Sequence, residues 1–211
     1  MKNRQIKEKK FWDKFALKYD AYMKRTLDKT YLSIIKNMKE DLKQTDRVLE
    51  IGAGTGIITF AICSKVASIV ATDISHEMIK VAQQKLKEQK LTNIDFQVQD
   101  SYKLDFSDNF FDVVIATNVL HLLYEPEKAI REVKRVVRGN GVFIAPNFCM
   151  GETRKDRIIA VLAGMLGGSK IINKWSIKDL KKVMTDNGFF IENSVVIEGR
   201  FPLVYLVMEK L

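Results

Sequence analysis

Glycine recurs at every second position in Glu50-Ile51-Gly52-Ala53-Gly54-Thr55-Gly56, directly after the apolar pair Val48-Leu49. The stretch reads as a buried strand running into a glycine turn, and Ile57, Ile58, Phe60, Ala61 and Ile62 follow at helical spacing. Glycine adopts positive φ without strain and has no Cβ, so this order lets backbone come very close to a ligand at a helix start. Spacing limits the ligand: a dinucleotide fingerprint would want its third glycine at position 57, where this chain has Ile. Asp73 lies 21 residues beyond Gly52, in Ala71-Thr72-Asp73-Ile74-Ser75. That is close to the offset of about 20 residues at which an acid meets ribose hydroxyls. A carboxylate suits the task because it accepts two hydrogen bonds from a vicinal diol. Read alone, Asp73 could be a helix cap, but Ser75 is the better candidate for that role. Two further strand ends carry polar groups, Gln99-Asp100-Ser101 and Thr117-Asn118. His121 has an ordinary pKa suited to proton transfer near neutrality and could take a proton from a hydroxyl, an amine or a carbon acid. Packing beneath the strand explains it as well. Cys63 and Cys149 have neither metal-ligand spacing nor a disulfide framework, and no metal site is expected.

The elements that must position these residues follow a regular rhythm. Strands read at 47–51, 68–74, 94–100, 111–118 and 141–147, and helices at about 57–66, 76–89 and 126–138. Near-continuous apolar runs such as Phe111-Asp112-Val113-Val114-Ile115-Ala116 suit a parallel sheet covered on both faces. The alternation predicts a doubly wound α/β sheet with right-handed crossovers, and ligands bind such sheets at the carboxyl ends of the strands. Before this core, Phe11, Phe15, Tyr19 and Tyr22 form one amphipathic stripe, and Tyr31, Ile34, Ile35, Met38 and Leu42 a second. After it, Ser176 with Asp179 resembles a capping box and Asn187-Gly188 a helix stop. Ser194–Ile197 and Leu203–Met208, flanking residues 198–202, then read as a β-hairpin that adds an antiparallel strand.

With 211 residues the chain is expected to form one domain. It divides into an N-terminal helical cap (1–45), a core (46–147), an insertion that sets the substrate (148–175), and a C-terminal helix and hairpin (176–211). The insertion contains Cys149, Met150, Arg154, Lys155, Arg157 and the run Ile158 to Leu166. That mixture suggests an apolar cover with a basic entrance, as loops mounted on a rigid scaffold often carry function. The net charge of +9 is concentrated at the start, where residues 1–45 hold 13 Lys/Arg against 6 Asp/Glu. A basic segment of this kind can hold nucleic acid, an anionic lipid surface or an acidic metabolite, or simply keep a helix solvated. Lys outnumbers Arg and no aromatic platform for bases accompanies it, which argues against nucleic acid. No apolar run approaches the length of a spanning helix and the start lacks a signal peptide, so a cytoplasmic location is the default.

Glu50-x-Gly52-x-Gly54-x-Gly56, with its acid before the first glycine, resembles motif I of the class I S-adenosylmethionine (SAM) methyltransferases. Phe111–Leu123 is similar to the family's motif IV, and Gly139–Ala145 to its turn into the fifth strand. Trp12-Asp13-Lys14-Phe15-Ala16 followed by Tyr19-Asp20 looks like the opening helix of quinone-biosynthesis-type small-molecule methyltransferases. The resemblance implies a Rossmann-like, mostly parallel seven-stranded sheet with SAM as cofactor and S-adenosylhomocysteine as product. It implies that Glu50, Gly52, Ala53, Gly54 and Gly56 cradle the cofactor and that Asp73 holds its ribose. Ile74 would pack on the adenine, Asp100 and Ser101 would contact the base, Asn118 would face the methionine half, and Tyr19 would close over it. His121 is the candidate catalytic base. Absence of Asn-Pro-Pro-Tyr or Pro-Cys at the end of the fourth strand argues against amino-directed DNA and cytosine-carbon methylation. A small-molecule acceptor is the expectation. The alternatives are an RNA or protein methyltransferase docking through its basic segment, and a non-catalytic SAM-binding protein. The sequence does not fix the oligomeric state.

Overall fold

A computed structural model describes residues 2–165, 171–199 and 201–211. Within the insertion, 166–170 therefore lie outside the described residues, as does Arg200 of the hairpin turn. The chain divides into two compact units, Met1–Asp105 and Phe106–Leu211.

The first unit opens with α1 (Lys2–Asp41), a single helix where the sequence shows two stripes. No Gly or Pro lies between Tyr22 and Tyr31 to break it. Ala16, Met23, Tyr31, Ile34 and Met38 form its buried side. Asp46 accepts a hydrogen bond from the backbone N–H of Lys43 at 2.8 Å, turning the chain into β1 (Arg47–Ile51). Then come α2 (Ile57–Ile62), a short 3-10 turn, β2 (Ser68–Asp73), α3 (His76–Gln89) and β3 (Ile94–Val98). The strands pair in parallel, β1 with β2 and β2 with β3, with Ile51 opposite Thr72 and Asp73 opposite Val98. This register puts Gly52, Asp73-Ile74 and the Asp100 turn along one edge of the ladder.

The second unit contains β4 (Phe111–Ile115), α4 (Pro126–Val136), β5 (Val137–Ile144), β6 (Asn147–Phe148), α5 (Arg154–Met165), α6 (Ile177–Asp186), β7 (Phe189–Ile197) and β8 (Leu203–Lys210). β4 and β5 are parallel, with a register shift between Phe111 and Val113. β8 runs antiparallel to β5, β6 and β7. Ser176 and Asp179 complete a capping box, and Gly188 takes φ +80° at the end of α6. The described strands number eight rather than seven, because the two-residue β6 pairs with β8. Strand four stops at Ile115 rather than 118, and Asn118 beyond it lies in the left-handed region at φ +54°. Among the described residues, no helix is long and apolar enough to cross a membrane.

Candidate functional site

In the first unit the glycine turn is left-handed at each alternate position, with φ +65° at Gly52, +57° at Gly54 and +82° at Gly56. The Ala53 N–H donates to the Thr72 carbonyl at 2.9 Å, which ties the turn to the end of β2. Asp73 completes the tie. One carboxylate oxygen accepts the Gly54 N–H at 2.9 Å, and the other accepts the Ser75 N–H at 2.8 Å. A carboxylate offers about four acceptor sites, so beside these bonds it has capacity for a diol. Burial pushes the Asp73 carboxyl above its usual range, and the N–H groups of Ser75, Gly54 and Ile74 partly offset that. Gly52 and Ile74 are half-buried, whereas Ala53 and Gly54 are buried.

Glu50 faces inward, 2% exposed, and accepts the Thr59 hydroxyl in the first turn of α2 at 2.5 Å. Burial, then the nearby Asp73 charge, raises its pKa to about 8 against the pull of Thr59. Its place is beneath the turn, where it anchors the start of α2. Asp100, two residues past β3, sits in a turn of its own and accepts the Tyr102 N–H at 2.9 Å. Ser101 is half-buried beside it.

α1 fastens to both sides of this turn. The Tyr19 ring lies so close to Gly54 that a Cβ there would sit 3.6 Å from Cε1. Burial, then Tyr31, and then the Asp73 and Asp20 charges hold the Tyr19 phenol well above its ordinary range. Asp20 accepts the Thr55 hydroxyl and, at 2.8 Å, the Lys85 ammonium. Asp13 accepts the hydroxyl of Ser75 at 2.7 Å, and Ser75 in turn caps α3 by accepting the Met78 N–H at 3.2 Å. Burial alone would raise the Asp13 carboxyl, but hydrogen bonds from Ser75, Lys9 and Glu77 hold it below its usual value. Sequence reasoning did not single out Asp13 or Asp20 as functional. The available signal was two acids seven apart, on one side of an otherwise lysine-rich helix.

In the second unit, the Asn118 backbone N–H donates to the Pro146 carbonyl at 2.8 Å, and its side-chain oxygen accepts the Phe148 N–H at 3.1 Å. His121 lies in the short 3-10 turn Leu120–Leu122, buried, with Nδ1 3.0 Å from Asn147 Oδ1. The Asn147 amide donates to the Phe148 carbonyl at 2.9 Å, so its oxygen is the end that faces the ring. That arrangement makes Nδ1 the protonated nitrogen and leaves Nε2 as the acceptor. Burial lowers the His121 pKa to about 4 despite Asn147, so the ring is neutral near pH 7 and a weaker base than its type suggests. Ile172 and Asn173 donate backbone N–H groups to the His121 carbonyl at 3.0 Å each. The Thr117 hydroxyl is the one buried side-chain polar atom without a hydrogen-bond partner among the described residues. Burial pushes the Cys149 thiol up to about 12, which leaves it inert as a nucleophile. No cluster of metal-ligating side chains occurs among the described residues.

A turn of alternate left-handed glycines bonded through its N–H to the acid that closes the next strand fits the adenosine and methionine ends of SAM. The family model for a methyltransferase domain matches residues 49–145, from the middle of β1 to just past β5. These comparisons support a class I SAM-dependent methyltransferase family for this chain. It is 35% identical over 102 residues to a phosphatidylethanolamine N-methyltransferase of Cereibacter sphaeroides, covering 48% of this chain and 50% of that protein. A demethylmenaquinone methyltransferase of Renibacterium salmoninarum is 34% identical over 102 residues, covering 48% and 41%. The chain thus spans about half the length, or less, of these curated relatives. In fold it resembles a chain from the complex of the Haloferax volcanii Trm112 methyltransferase activator. The TM-score is 0.79 at 17% identity, covering 94% of this chain and 97% of that one. SAM is the cofactor of the methyltransferase family.

Proposed function

We propose that this methyltransferase, acting as a single domain, transfers a methyl group from SAM to a small-molecule acceptor. The carrying observation is the Gly54 N–H to Asp73 carboxylate bond, which fixes the glycine turn and the ribose-binding acid as one unit. SAM, when bound, supplies an electrophilic methyl group on a sulfonium. The residues of this chain bind and orient it. Asp73 holds the ribose hydroxyls, Ile74 and the Asp100-Ser101 turn take the base, and Gly52 offers half-exposed backbone to the methionine end. Asn118 belongs to the same proposed set. Glu50, Gly56 and Ala53 support the turn from below. Tyr19 covers it from α1.

His121 fits an accepting role through Nε2, toward an acceptor that carries an O–H or N–H. With a pKa of about 4 it orients that group and does not deprotonate an ordinary hydroxyl. A strong electrophile already in line asks little more of the protein than positioning. The small-molecule reading draws on the two curated relatives, whose names are those of enzymes for a phospholipid and a quinone precursor.

The test is incubation with methyl-labelled SAM and a fractionated extract, with label followed into lipid, metabolite, protein and RNA pools. Label is expected in the lipid or metabolite pool. Asp73→Ala should abolish incorporation and weaken S-adenosylhomocysteine binding by at least about ten-fold, the loss of one or two charge-assisted hydrogen bonds. Retained affinity in that variant overturns the cofactor site. Label appearing in RNA or protein alone overturns the acceptor class. His121→Ala should lower turnover and leave S-adenosylhomocysteine affinity unchanged.

A further inference from the structure

The insertion after β6 leaves the fold at Gly151 and returns at Trp175. The Gly151 N–H donates to the Trp175 carbonyl at 2.8 Å, and a Cβ on Gly151 would lie 2.2 Å from the Lys174 carbonyl oxygen. The two ends are therefore pressed together, and α5 rises from a fixed base. At 3.6 residues per turn, Arg154, Lys155, Ile158, Val161 and Leu162 share one side of that helix. The three aliphatic side chains on it are 59%, 42% and 49% exposed, whereas Ala160 on the opposite side is buried. Arg154 and Lys155 are exposed as well. Of the run that the sequence suggested as an apolar cover, Ile158, Val161 and Leu162 thus face solvent, while Ile159 is half-buried. The neighbouring acids are engaged elsewhere: Asp156 accepts the Thr153 hydroxyl at 2.6 Å, and Glu152 accepts the Ile177 N–H.

We propose that the outer face of α5 is a docking surface for an anionic lipid bilayer, with Ile158, Val161 and Leu162 entering the headgroup–acyl boundary and Arg154 and Lys155 meeting lipid phosphates. A helix with this division lies in the interface plane, bound by apolar burial together with attraction to anionic lipid. Charge complementarity selects this occupant over the others. A second copy of the chain, related by a two-fold axis, would set the same cations against each other around a small apolar patch. Nucleic acid would find cations here, but the three aliphatic side chains give bases nothing to stack on. The surface stands independently of the methyl-transfer reading, and its test uses no SAM.

The experiment is co-sedimentation of the full chain with vesicles of phosphatidylcholine alone and with about 40% phosphatidylglycerol, at low and high salt. Binding is expected on the anionic vesicles only, weakened by salt. The double variant Arg154→Ala, Lys155→Ala should lose roughly 25-fold in partitioning, at about five-fold for each cation. Ile158→Ser with Leu162→Ser should lose at least about ten-fold. All four positions are exposed, and an unchanged circular dichroism melt would show that the fold is kept. An environment-sensitive dye on Ile158→Cys provides a second readout, since Cys63 and Cys149 are buried. Its emission should shift to the blue on anionic vesicles. Three results overturn the proposal: wild-type protein left in the supernatant, Ser variants that sediment like wild type, or a dye that does not shift. A micromolar dimer lost in the Ser variants would assign the surface to a second copy instead.

Discussion

At Gly56 a Cβ would lie 2.8 Å from Phe96 Cζ and 3.0 Å from Phe60 Cε2, with φ at +82°. At Gly54 the same atom would meet only ordinary contacts, 3.6 Å from Tyr19 and 4.0 Å from Met78. The two glycines therefore answer different demands, ring packing beneath the turn at Gly56 and a left-handed backbone alone at Gly54. Gly56→Ala should cost about 2–3 kcal/mol, the sum of a strained left-handed residue and a ring that has to shift. Urea denaturation would measure it, and Gly54→Ala should cost distinctly less. An equal loss in both would place the strain in the backbone alone. The left-handed turn of alternate glycines was legible because it depends on local spacing. The behaviour of His121 was not. Its lowered pKa depends on burial and on Asn147, 26 residues away, while residues 172–173 hold its backbone. Those partners leave no mark near His121 in the sequence.

Between elements, the attachment of α1 rests on Asp13 and Asp20, which join it to Ser75, Thr55 and Lys85. The Asp20–Lys85 pair is partly exposed, with side chains 45% and 24% accessible, so solvent screening limits its contribution to about 1 kcal/mol. Asp20→Ala should lower amide protection across residues 12–24 roughly five-fold in hydrogen exchange while leaving β1 and β2 unchanged. Uniform protection in wild type and variant would show that aromatic packing alone holds the helix. The parallel strands were legible as apolar runs because both faces are covered. The role of the two aspartates was not, since acids on a lysine-rich helix usually sit in solvent beside an i±4 partner. The two residues of β6 are too few to leave a periodicity, and β4 ends at Ile115 although the apolar run continues past it.

For the molecule as a whole, two buried groups with opposite shifts shape the dependence of stability on pH. Glu50 titrates near 8 in the folded chain and at about 4.5 when unfolded, so the native state holds the extra proton between those values. Its contribution is complete below about 4.5 and is lost as pH rises through 8. His121 is the reverse: at about 4 folded and 6.5 unfolded, its contribution is present above 6.5 and lost as pH falls toward 4. Between pH 4.5 and 6.5 these two proton balances cancel, and above 6.5 only the Glu50 balance of the pair remains. Asp73, also raised by burial, adds in the same direction as Glu50. Stability should therefore decline from pH 6.5 to 8.5, with a slope of at most about 1.4 kcal/mol per pH unit from Glu50. Calorimetric melts of wild type and Glu50→Gln at pH 5.5, 6.5, 7.5 and 8.5 isolate that slope, because contributions shared by the two proteins cancel in their difference. The Gln variant should lose less Tm than wild type between pH 6.5 and 8.5. Parallel curves would mean that Glu50 is ionised in the folded chain at neutral pH. The charge beneath the glycine turn would then differ from the neutral carboxyl that burial dictates.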